Sequence, residues 1–206
     1  MTSRVNQMFT VILMTIPVLL MQAGALGAGE QFSGKGQHVT PEFTPPLGLY
    51  VLHMKHLGRS NFAIRPLSTD GSVYPSLVNK IGGFDGSAVF SVRETKTFVL
   101  SVDADGSWSI SIEEPGRDPH ARYFSGKGQA ATKLISLEGG IYIFRMKHTG
   151  KGNFIICPYG TSGRRYSSLI NEIGPFEGWN TVPFEEGEYL FQVDADGDWE
   201  MSIEKQ

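Results

Sequence analysis

The chain contains one cysteine, Cys157, among its 206 residues. An intramolecular disulfide is therefore excluded, and each folded unit has to be stabilised by the burial of apolar side chains. We interpret Cys157 as a passive, partly covered thiol, with an intermolecular disulfide or a reactive thiol as the alternatives. The 18 basic and 21 acidic residues nearly cancel, so the charge balance argues against nucleic acid or an anionic membrane surface as a partner.

Helical patterns and catalytic motifs are also missing. No window of eleven residues has the apolar spacing of an amphipathic helix, so no substantial helix is expected. The chain has no nucleophile elbow, zinc-protease helix, phosphate loop or paired cysteine motif. The sequence therefore predicts a protein that is not an enzyme and holds no cofactor. Its 25 glycines and 11 prolines predict many turns and short strands instead.

Residues 1–28 differ in composition from the rest of the chain. Arg4 precedes an apolar run at 9–21, and small residues follow as far as Ala25 and Ala28. This order is typical of a secretory signal peptide cleaved after one of those two alanines. The alternative is an uncleaved membrane anchor. The apolar run argues against it, because it is shorter than the roughly 20 residues that cross a bilayer. We predict a secreted or extracytoplasmic protein that does not contact the membrane after cleavage.

Most of the remaining sequence occurs twice. Residues 32–37 return as residues 124–129, and residues 102–108 return, after one deletion, as residues 193–199. The period is too long for a solenoid unit and right for a small domain. The predicted units are a signal peptide at 1–28, repeat 1 at 32–113, a linker at 114–123 and repeat 2 at 124–206.

The two repeats have the alternation of half-buried strands. Residues 48–56 alternate between an apolar and a polar face, and the segment is bounded by Gly48 and Gly58. The apolar face carries Tyr50, Leu52 and Met54, and the polar face carries His53 and Lys55. Further strands are predicted at 61–67, 76–81 and 88–92. Short strands separated by turn residues predict an all-β fold, namely two tandem antiparallel β-sandwich domains of jelly-roll type.

The acidic bend near the end of repeat 1 predicts a hairpin. A three-residue loop at 104–106 would place Gly106 in the left-handed conformation that glycine adopts most easily. Val102 would then lie opposite Trp108, and each apolar residue of one strand would meet an apolar residue of the other. Trp108 is therefore predicted to be a large core residue.

The equivalent bend in repeat 2 carries more carboxylates. Asp194, Asp196 and Asp198 alternate there, as oxygen ligands do at the start of a calcium loop. The twelfth position of such a loop would be a lysine, and strands rather than helices flank it. The favoured interpretation is a second hairpin with Gly197 at the bend and Trp199 in the core. Calcium held by the three aspartates is the alternative.

Four polar residues recur at equivalent positions of the two repeats. His56 and His148 are predicted to be packed, hydrogen-bonded residues rather than metal ligands, because no third ligand accompanies them in both repeats. Asn79 and Asn171 lie in otherwise apolar strands. Since an unsatisfied buried amide is costly, we predict that both are structural residues with internal partners, with a contact to a ligand as the alternative.

The motif that both repeats carry resembles a small β-sandwich module of secreted and surface proteins of prokaryotes. In repeat 1 its residues are Phe32, Gly34, Gly36, Gly48, Tyr50, Met54, His56, Asn61, Phe62, Asn79, Ile81, Gly82, Phe84, Gly86, Val102, Ala104, Asp105, Gly106 and Trp108. The resemblance covers nearly all of the chain after the signal peptide. It implies the sandwich fold and an extracytoplasmic location, and it implies no activity.

These patterns together predict an exported, non-enzymatic binding or adhesion protein. Two similar units on one chain raise the effective concentration for a repeated ligand, so the expected partner is a polymeric glycan or a protein outside the cytosol. One alternative is calcium-assisted carbohydrate binding through the 194–198 loop and exposed aromatic residues such as Tyr159 and Trp179. The others are an accessory domain of a secreted system and a structural spacer.

Overall fold

The computed structural model describes residues 29–206, and the predicted signal peptide lies outside this range. Within it the chain forms seventeen β-strands and no helix, as the alternating patterns predicted. No helix of the described part is long and apolar enough to span a membrane.

The strands follow one another along the chain in two similar series. Those of the first half are β1 (Glu30–Lys35), β2 (His38–Val39), β3 (Gly48–His56), β4 (Asn61–Ser68), β5 (Val78–Ile81), β6 (Phe84–Val92), β7 (Phe98–Ala104) and β8 (Ser107–Glu113). Those of the second half are β9 (Tyr123–Lys127), β10 (Ala130–Ala131), β11 (Ile135–Leu137), β12 (Gly140–His148), β13 (Asn153–Gly160), β14 (Ile170–Ile173), β15 (Phe176–Phe184), β16 (Gly187–Asp194) and β17 (Asp198–Lys205).

The strands form four antiparallel sheets, two from each half. The sheets of the first half have the orders β1-β8-β3-β6 and β2-β7-β4-β5. The sheets of the second half have the orders β15-β12-β17-β9 and β10-β16-β13-β14, and β11 also pairs with β16. The β3–β6 ladder, which begins with Gly48 opposite Val92, recurs as the β12–β15 ladder with Gly140 opposite Phe184.

Each half has its own cluster of buried apolar side chains, drawn from both of its sheets. In β3, Tyr50, Leu52 and Met54 are buried while His53 and Lys55 are exposed, as the alternation predicted. The predicted strand at 61–67 is β4. The predicted strand at 76–81 corresponds to β5, which begins later, at Val78, and the predicted strand at 88–92 is part of β6, which begins earlier, at Phe84. The chain turns between them at Gly82, which has a φ of 94°.

Trp108 lies in the core of the first half with 4% of its surface exposed, as predicted. Its Nε1 donates a hydrogen bond to the carbonyl of Gly36 at 3.0 Å, and Gly36 has a φ of 71°. A Cβ on Gly34 would lie 2.5 Å from the indole ring, so glycine is required where β1 crosses it. Trp199 is buried in the same way and donates to Gly128 at 2.9 Å. These contacts explain the glycines of the repeated Phe-Ser-Gly-Lys-Gly segment.

The predicted hairpin between β7 and β8 is wrong. The two strands belong to different sheets, since β7 pairs with β2 and β4 whereas β8 pairs with β1 and β3. Trp108 therefore lies beside His56 and Gly34 in its sheet, not beside Val102. Gly106 and Gly197 are not among the glycines with a positive φ. Val102 and Trp108 do belong to one core cluster, so the apolar residues meet across the core rather than along one sheet.

Candidate functional site

His56 lies at the end of β3 and is almost fully buried. Its Nδ1 is 2.8 Å from the carbonyl oxygen of Gly82, and because a carbonyl can only accept, Nδ1 carries a proton. The ring stacks on Phe62 with a centroid separation of 4.6 Å. A carboxylate oxygen of Asp105 lies 3.2 Å from Nε2, but this contact does not have the geometry of a hydrogen bond. His56 is therefore a packed residue, as predicted.

Asp105 joins this histidine to a neighbouring turn. Its Oδ2 accepts hydrogen bonds from the backbone N–H groups of Arg59 and Ser60, each at 3.0 Å. The two turns touch directly, since a Cβ on Gly106 would lie 2.6 Å from the Cα of Gly58. The repeated Asp-Ala-Asp-Gly motif thus holds the β3–β4 turn against the bend between β7 and β8.

Repeat 2 contains the same arrangement. His148 Nδ1 is 2.9 Å from the carbonyl oxygen of Gly174, and its Nε2 is 3.2 Å from Oδ1 of Asp196. Oδ2 of Asp196 accepts from the N–H groups of Lys151 and Gly152, at 3.2 and 2.8 Å. The shared polar residues at these bends are therefore explained by hydrogen bonding within each repeat.

The stability of both repeats is expected to fall in acid because of these two aspartates. The backbone N–H of Arg59 lowers the pKa of the Asp105 carboxyl; burial opposes this shift, whereas the N–H of Ser60 and the nearby His56 add to it. Burial raises the pKa of Asp196, but the N–H groups of Gly152 and Lys151 together with His148 outweigh it and the net shift is downward.

A carboxyl with a lower pKa in the folded than in the unfolded chain stabilises the fold above its unfolded pKa of about 4. This contribution is lost as the pH falls through the lower, folded-state pKa. We expect urea midpoints measured between pH 7 and pH 2 to drop in the acid range, and the drop to be smaller in the double variant Asp105→Asn and Asp196→Asn. An identical acid profile in the variant would contradict this assignment.

The aspartates proposed as calcium ligands are not brought together. Asp194 forms an ion pair with Lys80 at 3.0 Å. Asp196 binds the turn between β12 and β13, and Asp198 lies exposed at the start of β17. No three His, Cys, Asp or Glu side chains of residues 29–206 are placed to share a metal ion. At this bend Asp196 has a structural role, since its carboxylate accepts backbone N–H groups.

Asn79 and Asn171 do not have the buried position that was predicted. Both are exposed, because Val78 rather than Asn79 faces the core in β5. Asn79 lines the cleft between the repeats described below, whereas Asn171 does not.

The two repeats pack against each other through an apolar cluster and a set of hydrogen bonds. The cluster joins Leu49 and Val89 of repeat 1 to Leu134 and Leu190 of repeat 2, and all four are buried. Leu190 is fully buried although its neighbours in β16 face the core of repeat 2. This interface therefore covers the outer face of one sheet of each repeat.

Two glutamines of repeat 2 make the central polar contacts. Gln192 Oε1 accepts from the N–H of Val89 at 2.7 Å. Gln129 Nε2 donates to the carbonyl of Leu77 at 2.6 Å, and its own carbonyl accepts from Ser87 at 3.1 Å. Ser87 and Val89 lie in β6, the edge strand of its sheet, and Leu77 directly precedes β5, the edge strand of the other sheet. These bonds therefore satisfy backbone groups that would otherwise face solvent.

A cleft of about 470 Å³ lies along this interface and takes side chains from both repeats. Repeat 1 contributes Pro66, Tyr74, Pro75, Ser76, Leu77, Val78, Asn79, Lys80, Ala88, Val89, Phe90 and Ser91. Repeat 2 contributes Gln129, Asn153, Ile155, Cys157, Tyr159, Arg165, Gln192 and Asp194. Amide, tyrosine and charged side chains thus line a concave space together with apolar residues of the interface.

Cys157 lies in the wall of this cleft and is buried, more fully than predicted. Burial raises the pKa of its thiol, against the opposing effect of Arg165, whose Nη2 is 2.8 Å from the sulfur. A thiol with a raised pKa is a poor nucleophile at neutral pH. The geometry therefore favours a passive packing role for Cys157.

A second exposed surface lies on the sheet β15-β12-β17-β9. Trp179, Arg145, Ser202 and Tyr123 are successive neighbours in one row across its four strands. Trp179 is 65% and Tyr123 59% exposed. At the position equivalent to Trp179, repeat 1 has Ser87, which repeat 2 covers. The same outer face is thus buried in one repeat and open in the other.

Sequence reasoning missed the interface and its cleft. The sequence feature that indicates the interface is a set of outward-facing positions at which the two repeats differ. Repeat 2 has Cys157 where repeat 1 has Arg65, and it has Gln192 where repeat 1 has Ser101. Differences between repeats mark surfaces that the repeats use differently, whereas the residues that they share mark the contacts that both folds need.

Comparison with known proteins adds little to this picture. No protein-family model and no curated protein matches the chain. One similar solved structure is the crystal structure of the PBSX exported protein XepA, with 10% sequence identity and a TM-score of 0.28. The match covers 86% of this chain and 87% of that one.

Proposed function

We propose that this chain is an exported, non-enzymatic binding protein that takes its ligand in the cleft between its two repeats. Each repeat is a β-sandwich domain in this proposal, which the presence of one buried apolar cluster between the two sheets of each repeat supports. The two domains act as one unit, because the interface residues are buried and hydrogen-bonded.

Export follows from residues 1–28, with their basic start, apolar run and small residues. The mature chain is then expected to begin at residue 26 or residue 29. Intact-mass measurement of the protein recovered from the medium or the cell envelope tests this, and a full-length mass in the cytosol would contradict it.

The absence of enzymatic activity in this proposal is supported by the roles of the shared polar residues. His56 and Asp105, which could have served acid–base chemistry, contact backbone groups of neighbouring turns. Their equivalents in repeat 2 do the same. Residues used in this way stabilise a scaffold and are not free to act on a substrate.

The observation that carries the proposal is the cleft itself. It combines tyrosine rings from both repeats, Tyr74 and Tyr159, with the amides of Asn79 and Asn153. Lys80 and Asp194, which pair across the interface, tie the two walls together. Aromatic surfaces beside amide donors and acceptors suit a polymeric glycan or an extended segment of a protein.

Binding is expected to depend on Asn79 and not on Asn171. We expect the purified chain to bind at least one member of an array of polysaccharides and extracellular proteins, and Asn79→Ala to weaken that binding about tenfold, as loss of a well-placed hydrogen bond does. Asn171→Ala is the matched control, since the same exposed residue of repeat 2 does not line the cleft.

Equal losses in the two variants would contradict a site in the cleft. An array without any bound member would favour the structural spacer.

The second candidate is glycan binding on the open face of repeat 2. The row of Trp179, Arg145, Ser202 and Tyr123 favours it, because two exposed rings flank hydrogen-bonding groups on one face of the sheet. This version needs no calcium. Loss of array binding in Trp179→Ala, with Asn79→Ala unaffected, would move the site to this face.

A further inference from the structure

The two repeats satisfy one pair of edge backbone groups in different ways. In each repeat the pair is a carbonyl just before the short edge strand of one sheet and an N–H in the edge strand of the other. We call the pair in repeat 1, Leu77 O and Val89 N, seam 1, and the pair in repeat 2, Leu169 O and Thr181 N, seam 2. The members of seam 2 are at the same positions of the repeat, 92 residues later.

Seam 1 is closed by the other repeat. Gln129 Nε2 of repeat 2 donates to Leu77 O at 2.6 Å, and Val89 N donates to Gln192 Oε1 at 2.7 Å. The docked repeat thus supplies one donor and one acceptor to two edge strands that face each other across an open side of repeat 1.

Seam 2 is closed by one side chain of its own repeat. Asn180 Nδ2 donates to Leu169 O at 2.9 Å, and Asn180 Oδ1 accepts from Thr181 N at 2.8 Å. The equivalent residue of repeat 1 is Ala88, whose methyl group cannot make either bond. A single amide therefore provides both groups that the two glutamines provide at seam 1.

We propose that Asn180 is a cap that closes this side of repeat 2 against the docking of another repeat. It occupies in repeat 2 the place that a following repeat would need, and the partner that it excludes is a Gln129–Gln192 face like that of repeat 2. Trp179 reinforces the cap, because it replaces Ser87, whose hydroxyl accepts a hydrogen bond from Ala131 N in the interface. A backbone edge that is closed in this way cannot pair with another copy of the repeat.

Removal of the cap should expose seam 2 without affecting seam 1. In the full chain, we expect Asn180→Ala to speed amide hydrogen exchange of Thr181 on the order of tenfold, the factor for loss of one hydrogen bond. Asn180→Asp keeps the acceptor for Thr181 and should retain its protection. Exchange of Val89 should not change in either variant. An unchanged rate for Thr181 in Asn180→Ala would overturn the proposal.

Transfer of the cap to repeat 1 tests whether it excludes a docked repeat. Gln192→Ala should speed exchange of Val89 on the order of tenfold, and adding Ala88→Asn should restore protection, because the introduced amide closes seam 1 in cis. In Ala88→Asn alone, the radius of gyration from X-ray scattering should rise as Gln129 is displaced, with Ala88→Ser as the control for a smaller polar side chain.

Two results together would overturn the proposal. The folded Ala88→Asn chain would keep the parent radius of gyration, and adding Ala88→Asn to Gln192→Ala would leave the exchange rate of Val89 unchanged. Circular dichroism establishes whether this variant folds. If it does not, the comparison of Asn180→Ala with Asn180→Asp decides the question on its own.

Discussion

Replacing Trp108 with alanine is expected to lower the free energy of unfolding of repeat 1 by about 3–5 kcal/mol, the usual cost of truncating a buried aromatic side chain. The indole is almost wholly buried, covers the backbone at Gly34 and donates to Gly36. Its removal leaves a cavity beneath β1 and an unpaired carbonyl. Urea unfolding followed by circular dichroism measures the loss.

Trp179→Ala is the matched control for this prediction. The same substitution on an indole that is 65% exposed should change the free energy of unfolding by no more than about 0.5 kcal/mol. A loss below about 1 kcal/mol in Trp108→Ala would show that the indole is not the central core residue of repeat 1.

Gly58→Ala is expected to destabilise repeat 1 by about 1–3 kcal/mol, the usual cost of adding a methyl group where no space is left for it. The new Cβ would overlap Oδ1 of Asp105 and Nε2 of His56. His56 cannot move away, since it is buried between Phe62 and the Gly82 carbonyl. The same urea titration provides the measurement.

Gly83→Ala provides the comparison for Gly58→Ala. The nearest atom to its added Cβ is the carbonyl oxygen of His56 at 3.6 Å, an ordinary contact, and Gly83 is not among the glycines with a positive φ. Its stability should remain close to that of the parent chain. If both substitutions cost the same, crowding at the His56–Asp105 contact is not the reason.

Strand positions and buried faces were predictable because they depend on local alternation. In β3 the predicted bounds agree with the structure, and so do the faces assigned to Tyr50, Leu52, Met54, His53 and Lys55. Leu49 and Val51 on the opposite face are buried as well, which the alternation did not predict. β5 and β6 were less predictable at their ends. Gly86 lies inside β6, where an added Cβ would lie 2.5 Å from the Gln129 carbonyl oxygen and 2.9 Å from the ring of Phe84.

The acidic bends were recognised as structural, but their partners were not predictable. Asp105 caps a turn 45 residues away in the chain, and Asp194 pairs with Lys80 of the other repeat. No local pattern records a contact of that separation. The candidate cleft escaped prediction for the same reason, since its walls come from both repeats.

The sequence by itself determined that this chain is built from short strands in two similar series, and which side chains of β3 face the core. Period-two alternation is a local property, so it survives in any arrangement of the strands. Only the tertiary structure decided that β7 and β8 lie in opposite sheets. The hydrophobic effect is non-directional, so apolar side chains are stabilised as well by contacts between two sheets as by contacts within one sheet. The hydrogen bonds of distant turns and of the second repeat select one of these arrangements, and they place the cleft where the two repeats meet.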